Sequence, residues 1–329
     1  MNIVNAKYRS KVLIEQTSFE CEVDRCKVSF FIQETNLDIK IEGRKGPQKL
    51  EALLADIESL LFVYLGSFPT TLSICTNGIE WELTNRINKY MTSGHFAKKN
   101  LALCRINLDT VNSGVINKMR QVKRTPLSSL QYIVSESYEH VVFDHKITLL
   151  LHIVQGIVSE DIIENELSEA ILKYSFSKSN KPGKYFAAAF HLCKLYFFNY
   201  HKKYNCRILQ LLAKNQRSFL KTITDTRNWY SHFFDESKKP DRLKNGTEMM
   251  VYFAIIYYAL RLMVLDKLEL KPDEESVKEF YYSVHDWIAE LYNKDVPLKS
   301  IAYTTRKMIE DINAHLQAQE DDAQVANNK

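Results

Sequence analysis

Around residues 122–129, VKRTPLSS, the chain changes character, and this limits its possible folds more than any other feature. Before that point, short runs rich in β-branched and aromatic residues (KVLIEQ, KVSFFIQ, LDIKIEG, TLSICTNG, IEWELTN and LALCRINL) are divided by polar or glycine-containing breaks, the pattern of strands. Beyond it strand signals nearly vanish, and helical periods run over roughly 128–140, 142–165, 184–203, 205–233, 247–269, 273–293 and 297–316. Pro126, set among basic and turn-forming residues, interrupts both periodicities as a domain boundary does. The expectation is an α+β chain with a mixed α/β N-terminal domain over 1–125, an all-α bundle over 126–316 and a disordered polar tail over 317–329. A chain of 329 residues can bury two separate cores.

One helix is legible within the first third, Pro47–Leu65. Pro47 follows Gly46, the apolar positions Leu50, Leu53, Leu54, Ile57, Leu61 and Tyr64 keep the helical period, and Gly66 stands where a C-terminal cap belongs. One amphipathic helix on a small mixed sheet is the expected arrangement.

Six cysteines (Cys21, Cys26, Cys75, Cys104, Cys193 and Cys206) are scattered over mostly apolar stretches with no CxxC pair, which favours buried free thiols in a reducing cytosol. Cys21 and Cys26 could clip a metal, but no second pair stands at a zinc-finger spacing. The N-terminus lacks the basic start, apolar run and small-residue cleavage site of a signal peptide, so a cytoplasmic protein is expected. The most apolar stretch, residues 249–265, is interrupted by Arg261 and reads as a core helix rather than a bilayer span.

The formal net charge of +4 says little, because it averages unlike regions. Residues 170–224 contain no Asp or Glu, yet carry eleven Lys or Arg, among them Lys194, Lys202, Lys203, Arg207, Lys214, Arg217 and Lys221. Interleaved with Tyr196, Phe197, Phe198, Tyr200 and Tyr204, this run supplies the charge and stacking that single-stranded nucleic acid requires. A solvated basic face over an aromatic core explains the same residues equally well.

The acid-free run ends in DTRNWYSHF, residues 225–233. Five residues turn a regular helix through about 500°, so Arg227 and His232 would not share a face, whereas Asn228 and His232 would. Asn228 could then fix the imidazole tautomer, with Trp229 and Phe233 anchoring the segment in the core. A near-neutral imidazole suits acid or base work, and a permanently charged, forked guanidinium suits the oxygens of a phosphorane. The structural alternative pairs Arg227 with Asp225 or a helix end and leaves His232 as a capping residue.

The Arg227-Asn228-x-x-x-His232 segment resembles the R-N-x-x-x-H motif of HEPN domains, and its D-T-R-N-x-Y-x-H form is similar to the ApeA-like branch. HKITLLLHIVQGIV (145–158) and GTEMMVYFAIIYYALRLMVLDKLEL (246–270) resemble the helices that flank the motif there, and the likeness covers roughly residues 128–310. The resemblance implies a metal-independent endoribonuclease without a cofactor. Its helical domains dimerise, so that two motifs meet over RNA, and family members commonly act in phage defence or toxin–antitoxin systems. On this reading Arg227, Asn228 and His232 are catalytic. Two alternatives stand beside it: a catalytically silent HEPN-like module that binds RNA or protein, and a structural dimerisation module.

Other groups carry weaker signals. His140, His145 and His152 share one region with Asp144, but no HExxH or carboxylate cluster accompanies them, and they read as core or surface histidines. Asp273, Glu274 and Glu275 follow Pro272, where a helix start calls for carboxylates. Neither a phosphate-binding glycine loop nor a GxSxG elbow is present.

Overall fold

The computed structural model describes residues 1–9, 17–66, 69–82, 111–121, 143–161, 216–232, 241–293 and 301–327. The strands expected at 11–16 and 101–108, the helices at 128–140 and 184–203, and the boundary at 125/126 lie outside the described residues. Among those described are six strands: β1 (Asn2–Arg9), β2 (Thr17–Val23), β3 (Cys26–Gln33), β4 (Asn36–Gly43), β5 (Thr70–Thr76) and β6 (Ile79–Glu80). Seven helices accompany them: α1 (Pro47–Leu65), α2 (Ser113–Gln121), α3 (Phe143–Asp161), α4 (Gln216–His232), α5 (Gly246–Lys267), α6 (Glu274–Asn293) and α7 (Tyr303–Asn327). The chain is therefore of the α+β class. It divides into two compact units, Met1–Val141 with Arg261–Phe280, and Val142–Leu260 with Tyr281–Lys329. Residues 261–280 thus belong with the N-terminal unit, which a single cut near residue 125 does not express.

Among the described residues the sheet of the first unit has the order β2-β3-β4-β1-β5-β6, and every pairing there is antiparallel, where a mixed sheet is expected. Its centre is β1, a segment in which the sequence signals no strand. That strand alternates cleanly, with Val4, Ala6 and Tyr8 buried, but Asn5, Lys7 and the small Ala6 are weak strand formers. Its pairing with both β4 and β5 makes it a strand. Of IEWELTN, Ile79–Glu80 forms β6, after an Asn77-Gly78 turn whose φ values of 52° and 83° suit a two-residue hairpin, and residues 83–85 lie outside the described residues.

The β2–β3 hairpin turns on Asp24 and Arg25, both in the left-handed region without a glycine. The short helix α2 holds it there. Ser113 Oγ accepts the Asp24 amide at 2.8 Å, while Arg120 donates to Asp24 at 2.8 Å and to Asp56 of α1 at 2.6 Å. The Arg120 guanidinium keeps the Asp24 carboxyl below its usual range.

Helix α1 begins and ends as its sequence predicts, with Gly66 at φ 72° donating its amide to Phe62 O at 2.8 Å. It is amphipathic only at first, however. Leu60, Phe62 and Val63 are buried together with Leu61, so its second half is enclosed on all sides. Its end is met by Arg261, fully buried, which donates Nε to Val63 O at 2.9 Å and Nη2 to Tyr64 O at 2.8 Å. These carbonyls belong to the last turn of α1, where intrahelical donors run out and the helix dipole favours a cation. A Cβ on residue 66 would lie 2.4 Å from Arg261 Nη1, which makes glycine doubly required there.

In the second unit, residues 251–260 of α5 are buried on every side. The whole helix is long and apolar enough to cross a membrane by length and composition, yet 94% of its most apolar window is buried within the protein. Phe219 of α4 stacks on Tyr252 of α5 at 4.3 Å, and Phe253 on Tyr257 at 5.8 Å. Glu248, also buried, accepts the Ala302 amide at 3.1 Å and the Thr305 hydroxyl, fixing the start of α7. Helix α7 continues to Asn327, so the residues expected as a polar tail from 317 are helical almost to the end, consistent with their Ala, Gln and Glu content.

Candidate active site

Helix α4 carries the motif, and its inner face is polar for a definite purpose. Thr226 Oγ1 donates to Thr222 O at 2.7 Å and accepts the Leu243 amide at 2.8 Å, while Thr222 Oγ1 donates to Asp241 at 3.0 Å. Two threonines one turn apart therefore fix the 241–245 segment against α4. Phe219 and Ile223, both fully buried, supply the apolar part of the same face.

Arg227 is 8% exposed. Its Nη1 donates to Asn228 Oδ1 at 2.9 Å, and its Nη2 lies 3.4 Å from His152 Nε2 on α3. Asp225, the partner expected under the structural alternative, forms an ion pair with Lys221 one turn earlier. The Asn228 amide oxygen thus accepts from Arg227, and the imidazole it is expected to orient, that of His232, lies outside the described residues.

His152, which in the sequence reads as a core or surface histidine, stands at the motif. Burial, and then the positive charge of Arg227, lower its pKa below the usual 6.5, so the ring is neutral at pH 7 and its Nε2 lone pair can accept from the guanidinium. No signal within α3 distinguishes it from His145; only the packing of α3 against α4 does.

Trp229 is only half buried rather than a core anchor. Its ring lies beneath the Arg242 guanidinium at 4.0 Å and meets Tyr230 edge-on at 4.8 Å. The segment is anchored instead by the threonines and Phe219.

His232 is the last residue of α4, and the continuous helix keeps it five positions from Arg227. Its side chain lies outside the described residues, as do Phe233, Lys194, Lys202, Lys203, Arg207 and Lys214, and the side chain of Arg217. Lys221, the one residue of the expected RNA-binding set whose side chain is described, is 66% exposed beside Asp225. Among the described residues no group of three or more His, Cys, Asp or Glu could hold a metal ion. Cys21, Cys26 and Cys75 are free thiols, with burial raising the pKa of the first two. The chain matches no family model, no curated protein and no solved structure.

Proposed function

We propose that the second unit is a HEPN-like, metal-independent endoribonuclease that cleaves RNA by attack of its own 2′-hydroxyl. One observation carries the reading: an arginine held beside a neutral imidazole and an Asn amide, on a helix that closes with a histidine five residues later. Arg227 would meet the phosphorane oxygens, and His232 would move the proton. Asn228 and His152 orient the guanidinium. Because five helical residues place Arg227 and His232 about 140° apart, a second copy would complete the cleft, with Arg227 of one protomer facing His232 of the other. A homodimer is part of the proposal.

The burial of Arg227 favours a second reading, in which the guanidinium is a fixed clamp between α3 and α4 and the unit is a silent RNA- or protein-binding module. Incubation of single-stranded RNA with the full chain and a chelator separates the two. The ribonuclease leaves a 2′,3′-cyclic phosphate and a 5′-hydroxyl and spares DNA. No cleavage at all leaves the silent module, and cleavage that requires magnesium removes both readings.

A further inference from the structure

We propose that a cavity beside the start of α7 binds one phosphodiester and the adjoining base of single-stranded RNA, an assignment that rests on the ribonuclease reading for the kind of ligand. The cavity has a volume of about 350 Å³, and its lining includes Asp241, Arg242, Lys244, Tyr303 and Arg306. That is enough room for a nucleotide-sized group and too little for a duplex. Three cations face one carboxylate there, and the carboxylate is committed. Asp241 accepts the Thr222 and Thr304 hydroxyls at 3.0 Å each, and the Tyr303 amide.

At the start of α7 the Ala302 amide is donated to Glu248 and the Tyr303 amide to Asp241. The side chains supply the positive charge. Arg242 is 4% exposed, with its guanidinium carbon 4.0 Å over the Trp229 ring, and forms the inner wall. Arg306 Nε is shielded from solvent and has no hydrogen-bond acceptor among the described residues, a donor that a phosphate oxygen would satisfy. Tyr303 is 63% exposed, with the Arg306 guanidinium 5.8 Å above its ring. An exposed aromatic face beside a forked cation suits an unpaired base and its phosphate better than it suits an acidic peptide, whose Asp and Glu side chains have no aromatic ring to stack.

The site also joins the motif helix. The loop that carries Arg242 and Lys244 is fixed to α4 by the Leu243 amide on Thr226, one residue before Arg227, and Arg242 covers Trp229, two residues after it. A strand with one phosphate here would have its neighbouring nucleotides beside α4.

The test is fluorescence anisotropy of a labelled single-stranded uridine-rich RNA of about 12 nucleotides, 2′-O-methylated so that the proposed reaction cannot cut it, with the full chain over a range of salt; cleavage and KM are followed separately on the unmodified RNA. Substituting Lys244→Ala and Arg306→Ala together should weaken binding about tenfold and make the salt slope shallower by about one, because the single phosphate held there is left unneutralised. Tyr303→Ala, a change at an exposed position, should weaken binding about fivefold and leave the salt slope as it was. Arg306→Lys should restore part of the affinity, and thermal melting confirms that each variant is folded. Unchanged affinity in folded variants overturns the proposal, as does a parent chain that binds no RNA. Equal binding of a polyglutamate peptide, abolished in the same variants, also overturns it and reassigns the cavity to acidic peptides. If the parent binds RNA through these residues but does not cut it, the subsite stands and the ribonuclease reading falls. If the parent cuts RNA and the double variant keeps the parental KM, the reverse holds.

Discussion

Arg261 and Arg227 are both buried arginines on long helices, and they are held in opposite ways. Arg261 is fully enclosed and bonded to two main-chain carbonyls at the end of α1. Arg227 is 8% exposed and is held by side-chain acceptors, the Asn228 amide and the neutral ring of His152. Backbone carbonyls at a helix end cannot move without unwinding the helix, so the first guanidinium is part of the fold. Side-chain acceptors can turn away at the cost of a rotamer change, so the second can exchange partners. The same residue type thus serves as a cap in one unit and as a candidate phosphate ligand in the other.

The widest separation between the two regions should appear in activity. If α4 carries the proposed reaction, His232→Ala lowers RNA cleavage about 10²–10⁴-fold in single-turnover assays, with melting temperature and RNA affinity nearly unchanged. Arg261→Met should do the reverse. It leaves the α1 carbonyls without their donors and costs about 3 kcal/mol in urea unfolding. An Arg261→Met chain as stable as the parent would show that the cap contributes nothing, and a His232→Ala chain that cuts at the parental rate would remove the enzyme reading.

A third buried charge sharpens the contrast through pH. Burial raises the Glu248 carboxyl from 4.5 to about 7, its hydrogen bonds from Thr305 and Ala302 only partly opposing that. A raised carboxyl pKa favours the protonated folded state, so the associated stability is complete below pH 4.5 and is lost as pH rises through about 7. The displacement corresponds to about 3 kcal/mol. Glu248→Gln should flatten this part of the stability profile and melt higher than the parent at pH 8; equal pH slopes in the two chains would count against it.

Smaller effects follow at the two arginines themselves. Gly66→Ala should cost about 1–2 kcal/mol from its left-handed φ alone, and more if the Arg261 guanidinium cannot move aside. Arg227→Ala should raise the His152 pKa toward 6.5, seen by NMR titration of the ring, because one of the two causes that lower it is then gone. The linkage sign is opposite to that of Glu248: the His152 contribution is present above pH 6.5 and fades as pH falls through the depressed folded value. An unmoved titration would mean that burial alone depresses the ring.

The sequence by itself determined those elements whose signals are local. Helix α1 from Pro47 to its Gly66 cap, strands β3, β4 and β5, the long apolar α5 and the placement of Arg227, Asn228 and His232 on one helix are all legible there, because period, cap and turn chemistry act over a few residues. Tertiary structure alone decided what depends on residues far apart in the chain. β1 becomes the central strand by pairing with residues 36–43 and 70–76, α2 forms where Arg120 meets Asp24 and Asp56, and Arg261 finds carbonyls nearly two hundred positions earlier. His152, 75 residues before Arg227, becomes part of the candidate site by the same route. A periodic pattern reports which face of an element is apolar; the partner that a buried polar group will meet is set only when the elements pack.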